Sequence, residues 1–292
     1  MEISEIKVKT AKSLYLPYQE AVIMPVGDVQ YSGGGENDPC DVDRFQRHIE
    51  WGMKRGAYFL GMGDYLDTIS PSQRIALRKM EMYDSTEDMI EEILGQRLEK
   101  FQRLVQGTEG RWLGLLEGHH YGEFADGTTT DTRLCQFLKA PFLGDCAMVR
   151  VNFRKATDKD HNRASCVIWA HHGVGGGRLL GAPLNTLEHV VKAFSADVYL
   201  MGHHHKKVAG PLDRVFVQWE ADPPRLQHRR IIMACTGGFL RGYMQGHQRS
   251  GRPQGTYVEQ RMLNPTSLGG VVIYVRPRSA KGKYHLDLGI EL

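Results

Sequence analysis

The run Tyr58-Phe59-Leu60-Gly61-Met62-Gly63-Asp64, continued by Tyr65-Leu66-Asp67, decides how the chain is read. A short apolar run punctuated by glycine has the length and composition of a buried β-strand, and here it ends on a carboxylate. Val22-Ile23-Met24-Pro25-Val26-Gly27-Asp28 repeats the pattern upstream. Downstream, three more apolar runs end on histidine: 112–116 leads into Gly118-His119-His120, 166–170 into His171-His172, and 197–201 into Gly202-His203-His204-His205. Seven of the thirteen histidines fall in these three clusters. Ligands of open α/β sheets collect beyond the carboxyl ends of strands. The five strand ends, bearing Asp, Asp, His, His and His, therefore predict one hydrolytic metal centre.

Periodicity supplies the other elements. Asp41 or Asp43 caps a helix with Phe45, Ile49 and Met53 on one stripe, and Gly56 stops it. The strand–helix–strand order makes Asp28 and Asp64 neighbours. Residues 71–107 read as helical, with Ser85 and Asp88 as a capping box and Ile90, Leu94, Leu98, Phe101 and Val105 in register. A loop rich in Gly and Thr follows His120, then strands at 147–153 and 166–170 separated by a charged turn at 157–162. Thr186 caps a helix through Phe194, and from about 231 the chain is β-rich. The fold class is α/β, a single domain over 1–292 with two packed mixed β-sheets flanked by helices and a helical insertion at about 71–107.

A hydrophobic fraction of 41% over 292 residues is enough for a substantial core. The first twelve residues lack a signal-type apolar region and no run approaches a membrane span, so a cytoplasmic chain without membrane contact is expected. Five cysteines without C-x-x-C spacing suit reduced, mostly buried thiols. The formal charge of +3 does not by itself argue for nucleic acid, and the basic stretches 225–230 and 276–283 read as solvated faces.

Taken in order, Gly27-Asp28-Val29-Gln30, Gly63-Asp64-Tyr65-Leu66-Asp67, Gly118-His119-His120, His171-His172-Gly173 and Gly202-His203-His204-His205 resemble five blocks of the calcineurin-like metallophosphoesterases. Those blocks run G-D-x-H, G-D-x-x-D, G-N-H-[DE], a lone H after a strand, and G-H-x-H. The resemblance spans about residues 22–205 and implies a four-layer α/β/β/α sandwich holding two divalent ions. By resemblance the first ion takes Asp28, Gln30, Asp64 and His205, and the second takes Asp64, His119, His172 and His203, with Asp64 as the bridge. Manganese is the expected metal, and the donor set also admits zinc, iron or nickel. His120 aligns with the family's general acid, a role suited to a group of unperturbed pKa about 6.5.

This chain departs from the pattern in three places. Gln30 replaces a histidine with a weaker amide ligand, which predicts a looser first ion. His119 replaces an asparagine with imidazole, which predicts a tighter second one. Tyr121 replaces an acidic residue and leaves open what orients His120. An alternative register makes His119 the acid and removes that ligand. Adjacent side chains of an extended segment point oppositely, so only one of His171 and His172 enters the site. His172 is favoured because it precedes Gly173-Val174-Gly175-Gly176-Gly177, a loop bare enough for main-chain N–H groups to approach phosphate. Arg178 is either a phosphate clamp or a surface arginine. Asp67 is read as supporting a neighbouring site residue or fixing its loop rather than as a ligand, His204 as exposed, and Gly237-Gly238-Phe239 with Arg241 as a rim loop.

The expected function is metal-dependent hydrolysis of a phosphate ester, first as a phosphodiesterase or nuclease. The alternatives are a phosphomonoesterase acting on a nucleotide or other small ester, and a non-catalytic scaffold of the same fold. Thr68-Ile69-Ser70 after Asp67 departs from the G-D-x-V-D-R-G of protein phosphatases. The helical stretch after the second block and the Gly-rich loop resemble phage and prophage-encoded members, which makes nucleic acid a candidate substrate. Oligomeric state is not legible.

Overall fold

Strands buried on both faces read as unbroken apolar runs. The computed structural model, which describes residues 11–35, 38–80, 82–156, 163–219, 222–280 and 283–292, places such strands in two mixed sheets. The chain first forms β1 (Ala11–Pro17), β2 (Ala21–Val26), α1 (Val42–Lys54), β3 (Tyr58–Gly61), α2 (Pro71–Lys79), α3 (Asp84–Leu104) and β4 (Trp112–Leu115). Next come α4 (Thr130–Phe137), β5 (Cys146–Arg154), β6 (Ala164–His171), α5 (Ala182–Ala193) and β7 (Val198–Met201). The remainder holds β8 (Lys207–Gln218), β9 (Arg225–Gly238), the short β10 (Gln248–Arg249) and β11 (Arg252–Pro253), and the single turn α6 (Tyr257–Gln260). β12 (Gly269–Gly270), β13 (Val272–Ala280) and β14 (Lys283–Glu291) complete it.

One sheet runs β14-β13-β2-β3-β4, the other β1-β5-β6-β7-β9-β12 with β8 also on β9. β2, β3 and β4 are parallel, as are β6, β7 and β9. Their carboxyl ends, which carry the aspartates and histidines, therefore point one way within each sheet.

Period-two alternation divides the burial. Ile23, Leu60, Val149, Ile168, Leu200 and Ile232 join one apolar cluster built by both sheets. Met24, Phe59 and Leu115 turn to the opposite face, against Phe45 of α1, Phe101 of α3 and Leu134 of α4. Trp169, Tyr199 and Met233 likewise meet Leu187 and Val191 of α5. At roughly 1.5–3 kcal/mol per fully buried large side chain, this packing outweighs intrinsic propensity in holding the helices.

Several boundaries differ from the sequence reading. The stretch 71–107 is two helices, and the capping box belongs to Ser70 and Gln73 of α2. α3 starts behind Tyr83 without a side-chain cap, so Ser85 lies inside it. The Gly- and Thr-rich stretch contains α4, opened by reciprocal bonds between Thr129 and Thr132. α5 starts at Ala182, upstream of Thr186, because Pro183 suits a first-turn position. The strand-rich part begins at Lys207 rather than about 231, since the largely exposed β8 pairs along β9. The turn at 157–162 lies outside the described residues. All five cysteines are free, four of them buried. Among the described residues no helix is long and apolar enough to cross a membrane.

Candidate metal centre

The motif glycines are required by close approach. A Cβ at Gly118 would overlap the main-chain N and Oδ1 of Asp64, and one at Gly63, at φ +90°, would lie 2.6 Å from His172 Nδ1. Main-chain bonds join the first two blocks: Asp28 N–H donates to Gly63 O at 3.0 Å, and Val29 N–H to Asp64 O at 2.9 Å. The turns so formed are strained. Asp28, Gln30, Asp64, His203 and His205 have φ between 49° and 66°, and among the described non-glycine residues only Lys139, Ser250 and Met262 share positive φ. Such backbone costs on the order of 1 kcal/mol or more per residue and persists where surrounding structure enforces it, often at functional sites. Here five of eight such residues are predicted ligands.

Each aspartate has one oxygen held by main-chain N–H groups and one turned toward the other side chains. Asp64 Oδ1 accepts the N–H of His119 and, at 3.0 Å, that of His120. Its Oδ2 lies 3.4 Å from His172 Nε2 and 3.5 Å from Gln30 Nε2. Asp28 Oδ2 accepts His203 N–H at 2.8 Å, while its buried Oδ1 has no hydrogen-bond partner and sits 3.8 Å from His205 Nε2.

The histidines repeat the arrangement. His172 Nδ1 donates to Met62 O at 2.7 Å and His203 Nε2 to Gly175 O at 2.9 Å, because a carbonyl only accepts. In the neutral rings this leaves the lone pairs on His172 Nε2 and His203 Nδ1, the pattern by which metal-ligating imidazoles are oriented. His119 Nδ1 is 3.3 Å from His203 Nδ1. Ligand atoms of His119, His172 and His203 lie within 4.8 Å of one another, and so do those of Asp28, Asp64 and His172.

Burial raises the Asp28 carboxyl to about 8. For Asp64 burial acts in the same direction but is outweighed by hydrogen bonds and charge from His172 and His120, which hold it well below the usual carboxylate range. Burial depresses His172, yet Asp64 more than offsets this and brings it to about 9. Burial takes His205 to about 4 and also lowers His119 and His203. The buried Asp28 Oδ1 lacks a hydrogen bond, a cost of ~1–3 kcal/mol, and His172 Nε2 has only the Asp64 carboxylate beside it. A divalent cation satisfies both, and carboxylate oxygen with imidazole nitrogen suits manganese, zinc, iron or nickel.

The structure thus brings all seven predicted ligands together, with His172 rather than Asp64 common to both close triads. His172 is the member of its pair that enters. His171 stacks on Trp169 at 5.7 Å and accepts from Gly173 N–H at 2.7 Å. His120 stands beside the cluster with Nδ1 2.9 Å from Asp67 Oδ1, so Asp67 supplies the orientation that Tyr121 cannot. Burial lowers His120, but the bond to Asp67 and the charge of Asp64 raise it above its ordinary value. His204 is half-buried rather than exposed, edge-on to His203 at 5.6 Å and bonded to the main chain of Val174.

A cleft of about 1020 Å³ opens over these groups, with Arg178 exposed on its lining. Two residues that brace it have no motif to announce them. Arg74 of α2 donates through Nη1 to the carbonyls of Ile69 (2.7 Å), His119 (2.8 Å) and Tyr121 (2.9 Å), its guanidinium 3.8 Å over the Tyr121 ring. The buried Lys206 donates to Gly177 O and, at 2.6 Å, to Leu179 O, tying down the glycine loop.

Neither a family model nor a curated protein matches the chain. Among solved structures it is similar to Vacuolar Protein Sorting 29 from Cryptosporidium parvum, at 13% identity over 94% of this chain and 98% of that chain. The TM-score is 0.34, a likeness too slight to argue from.

Proposed function

We propose that this chain is a metal-dependent phosphodiesterase of the calcineurin-like metallophosphoesterase superfamily, one domain of four α/β/β/α layers. One observation carries the reading: two triads, His119/His172/His203 and Asp28/Asp64/His172, overlap at the buried His172. In four of those five side chains the second polar atom is held by the main chain. Asp28, Gln30, Asp64 and His205 would hold one ion, and Asp64, His119, His172 and His203 another, manganese first among the candidates. When bound, such ions supply positive charge to phosphate oxygens and lower the pKa of water.

The chain's own groups do the rest. Asp67 engages His120 Nδ1, which leaves Nε2 as the ring nitrogen free to carry a proton. The bond to Asp67 and the charge of Asp64 favour the protonated ring, and His120 passes that proton to the leaving oxygen. Arg178 and the main chain of Gly175, Gly176 and Gly177 line the same cleft and meet the phosphate oxygens.

The test is turnover of two chromogenic esters. With Mn²⁺ the protein is expected to hydrolyse bis-p-nitrophenyl phosphate faster than p-nitrophenyl phosphate, and EDTA to abolish both. The opposite preference makes it a monoesterase, and bound metal without turnover makes it a scaffold. Asp67→Ala removes the main influence raising His120. The alkaline limb of kcat on an alkyl phosphodiester should therefore move to lower pH, with a loss of roughly 10–100-fold. A limb that stays in place assigns the acid elsewhere.

A further inference from the structure

Beyond Gly238 the chain leaves the second sheet, returning when Gly269 and Gly270 of β12 pair with Gly238 and Gly237. The excursion is rooted at the metal cluster: Phe239 N–H donates to Asp28 O at 2.9 Å, and a Cβ on Gly238 would sit 2.9 Å from Asp28 Cβ. It is braced from within. The buried Thr256 caps α6 and its hydroxyl donates to Gly242 O, the Tyr243 hydroxyl donates to Leu263 O at 2.9 Å, and His247 Nδ1 donates to Gln254 O at 2.6 Å. Arg241, Arg249, Gln254, Tyr257 and Asn264 of this segment line the cleft.

Its charge is one-sided. Residues 239–266 contain four arginines, at 241, 249, 252 and 261, against one carboxylate, Glu259. That carboxylate is already engaged, accepting the N–H of Thr256. Two of the four arginines, Arg241 and Arg249, line the cleft. Arg241 Nε is buried without a hydrogen-bond partner, and Nη2 is 3.9 Å from Asp41 Oδ1. Tyr257 is 63% exposed. A cleft of about 1020 Å³ also exceeds what one small phosphate ester fills.

We infer that residues 239–266 form a wall that holds a single-stranded nucleic acid, Arg241 and Arg249 taking backbone phosphates beside the scissile one and Tyr257 stacking a base. The inference deepens the phosphodiesterase reading, on which it rests for the place of the scissile phosphate. Cations along a groove with an exposed ring hold a single strand through its backbone and base faces, without sequence readout.

The experiment is fluorescence anisotropy in EDTA with a labelled short oligothymidylate, titrated over NaCl. The wild-type chain is expected to bind it at least roughly 10-fold more tightly than a labelled mononucleotide or a duplex of the same length. The Arg241→Ala/Arg249→Ala pair should weaken binding and lower the log–log salt slope by roughly 1.4, while the two lysine substitutions preserve the slope. Tyr257→Ala should lose roughly 10-fold, and Tyr257→Phe should restore it. An unchanged slope in the alanine pair, an unaffected Tyr257→Ala, or equal or tighter binding of the mononucleotide or duplex overturns the inference. Because EDTA removes turnover from the measurement, the two readings fail separately. A chain that binds the strand but cleaves no ester with Mn²⁺ loses the phosphodiesterase reading alone. A chain that cleaves bis-p-nitrophenyl phosphate but ignores the strand loses the wall alone.

Discussion

Asp64→Asn is expected to remove turnover of every ester by roughly 10³-fold or more, the order that loss of one preorganised electrostatic group costs, and to do so without unfolding the chain. The asparagine oxygen still accepts the N–H groups of His119 and His120, so the turn that presents the side chain keeps its bonds. What disappears is the second oxygen, now 3.4 Å from His172 Nε2, and the negative charge that a cation needs there. Metal content by mass spectrometry, turnover with Mn²⁺ and a melting curve together check this. Full metal content with normal turnover would show that Asp64 is not a ligand, and a collapsed melting curve would show that the fold needs the carboxylate's charge or second oxygen in addition to the two amide bonds.

His119→Ala and His120→Ala are expected to separate metal binding from proton transfer. His119 faces His203 at 3.3 Å inside the ligand cluster, so its loss should deplete the second ion and damage turnover of all substrates. His120 is bonded to Asp67 at the edge, so its loss should leave metal content intact. General acid catalysis contributes typically ~10²–10⁴-fold and matters least for good leaving groups. His120→Ala should therefore lose that much on alkyl phosphodiesters and far less on p-nitrophenyl esters. Exchanged phenotypes would assign the acid to His119.

The strand-end blocks were legible because their signals are local: an apolar run, a glycine that permits close approach, then the ligand. Gly118 and Gly63 show why that spacing cannot drift. The Phe45 and Leu98 stripes were legible by the same local rule. α4 was not, because Thr129 and Thr132 cap each other with two threonines, outside the usual Ser/Thr with Glu/Gln signature. β8 was not, because its apolar residues do not alternate (Val215, Phe216 and Val217 run together and are exposed) and the strand is made by pairing with β9. The site's supports were hidden for a related reason. Asp67 was read as a supporting residue but its partner was not, and Arg74 and Lys206 act on the main chain of distant segments, a relation that one-dimensional spacing does not carry.

Whether five strand ends assemble a two-metal centre is tested by anomalous diffraction at the manganese edge, from crystals grown with Mn²⁺. Two peaks are expected in the cluster, one among Asp28, Gln30, Asp64 and His205 and one among Asp64, His119, His172 and His203, both lost in Asp64→Asn. A manganese-bound crystal with no peak among these side chains, or with a single peak that touches neither Asp64 nor His203, would contradict a two-metal centre.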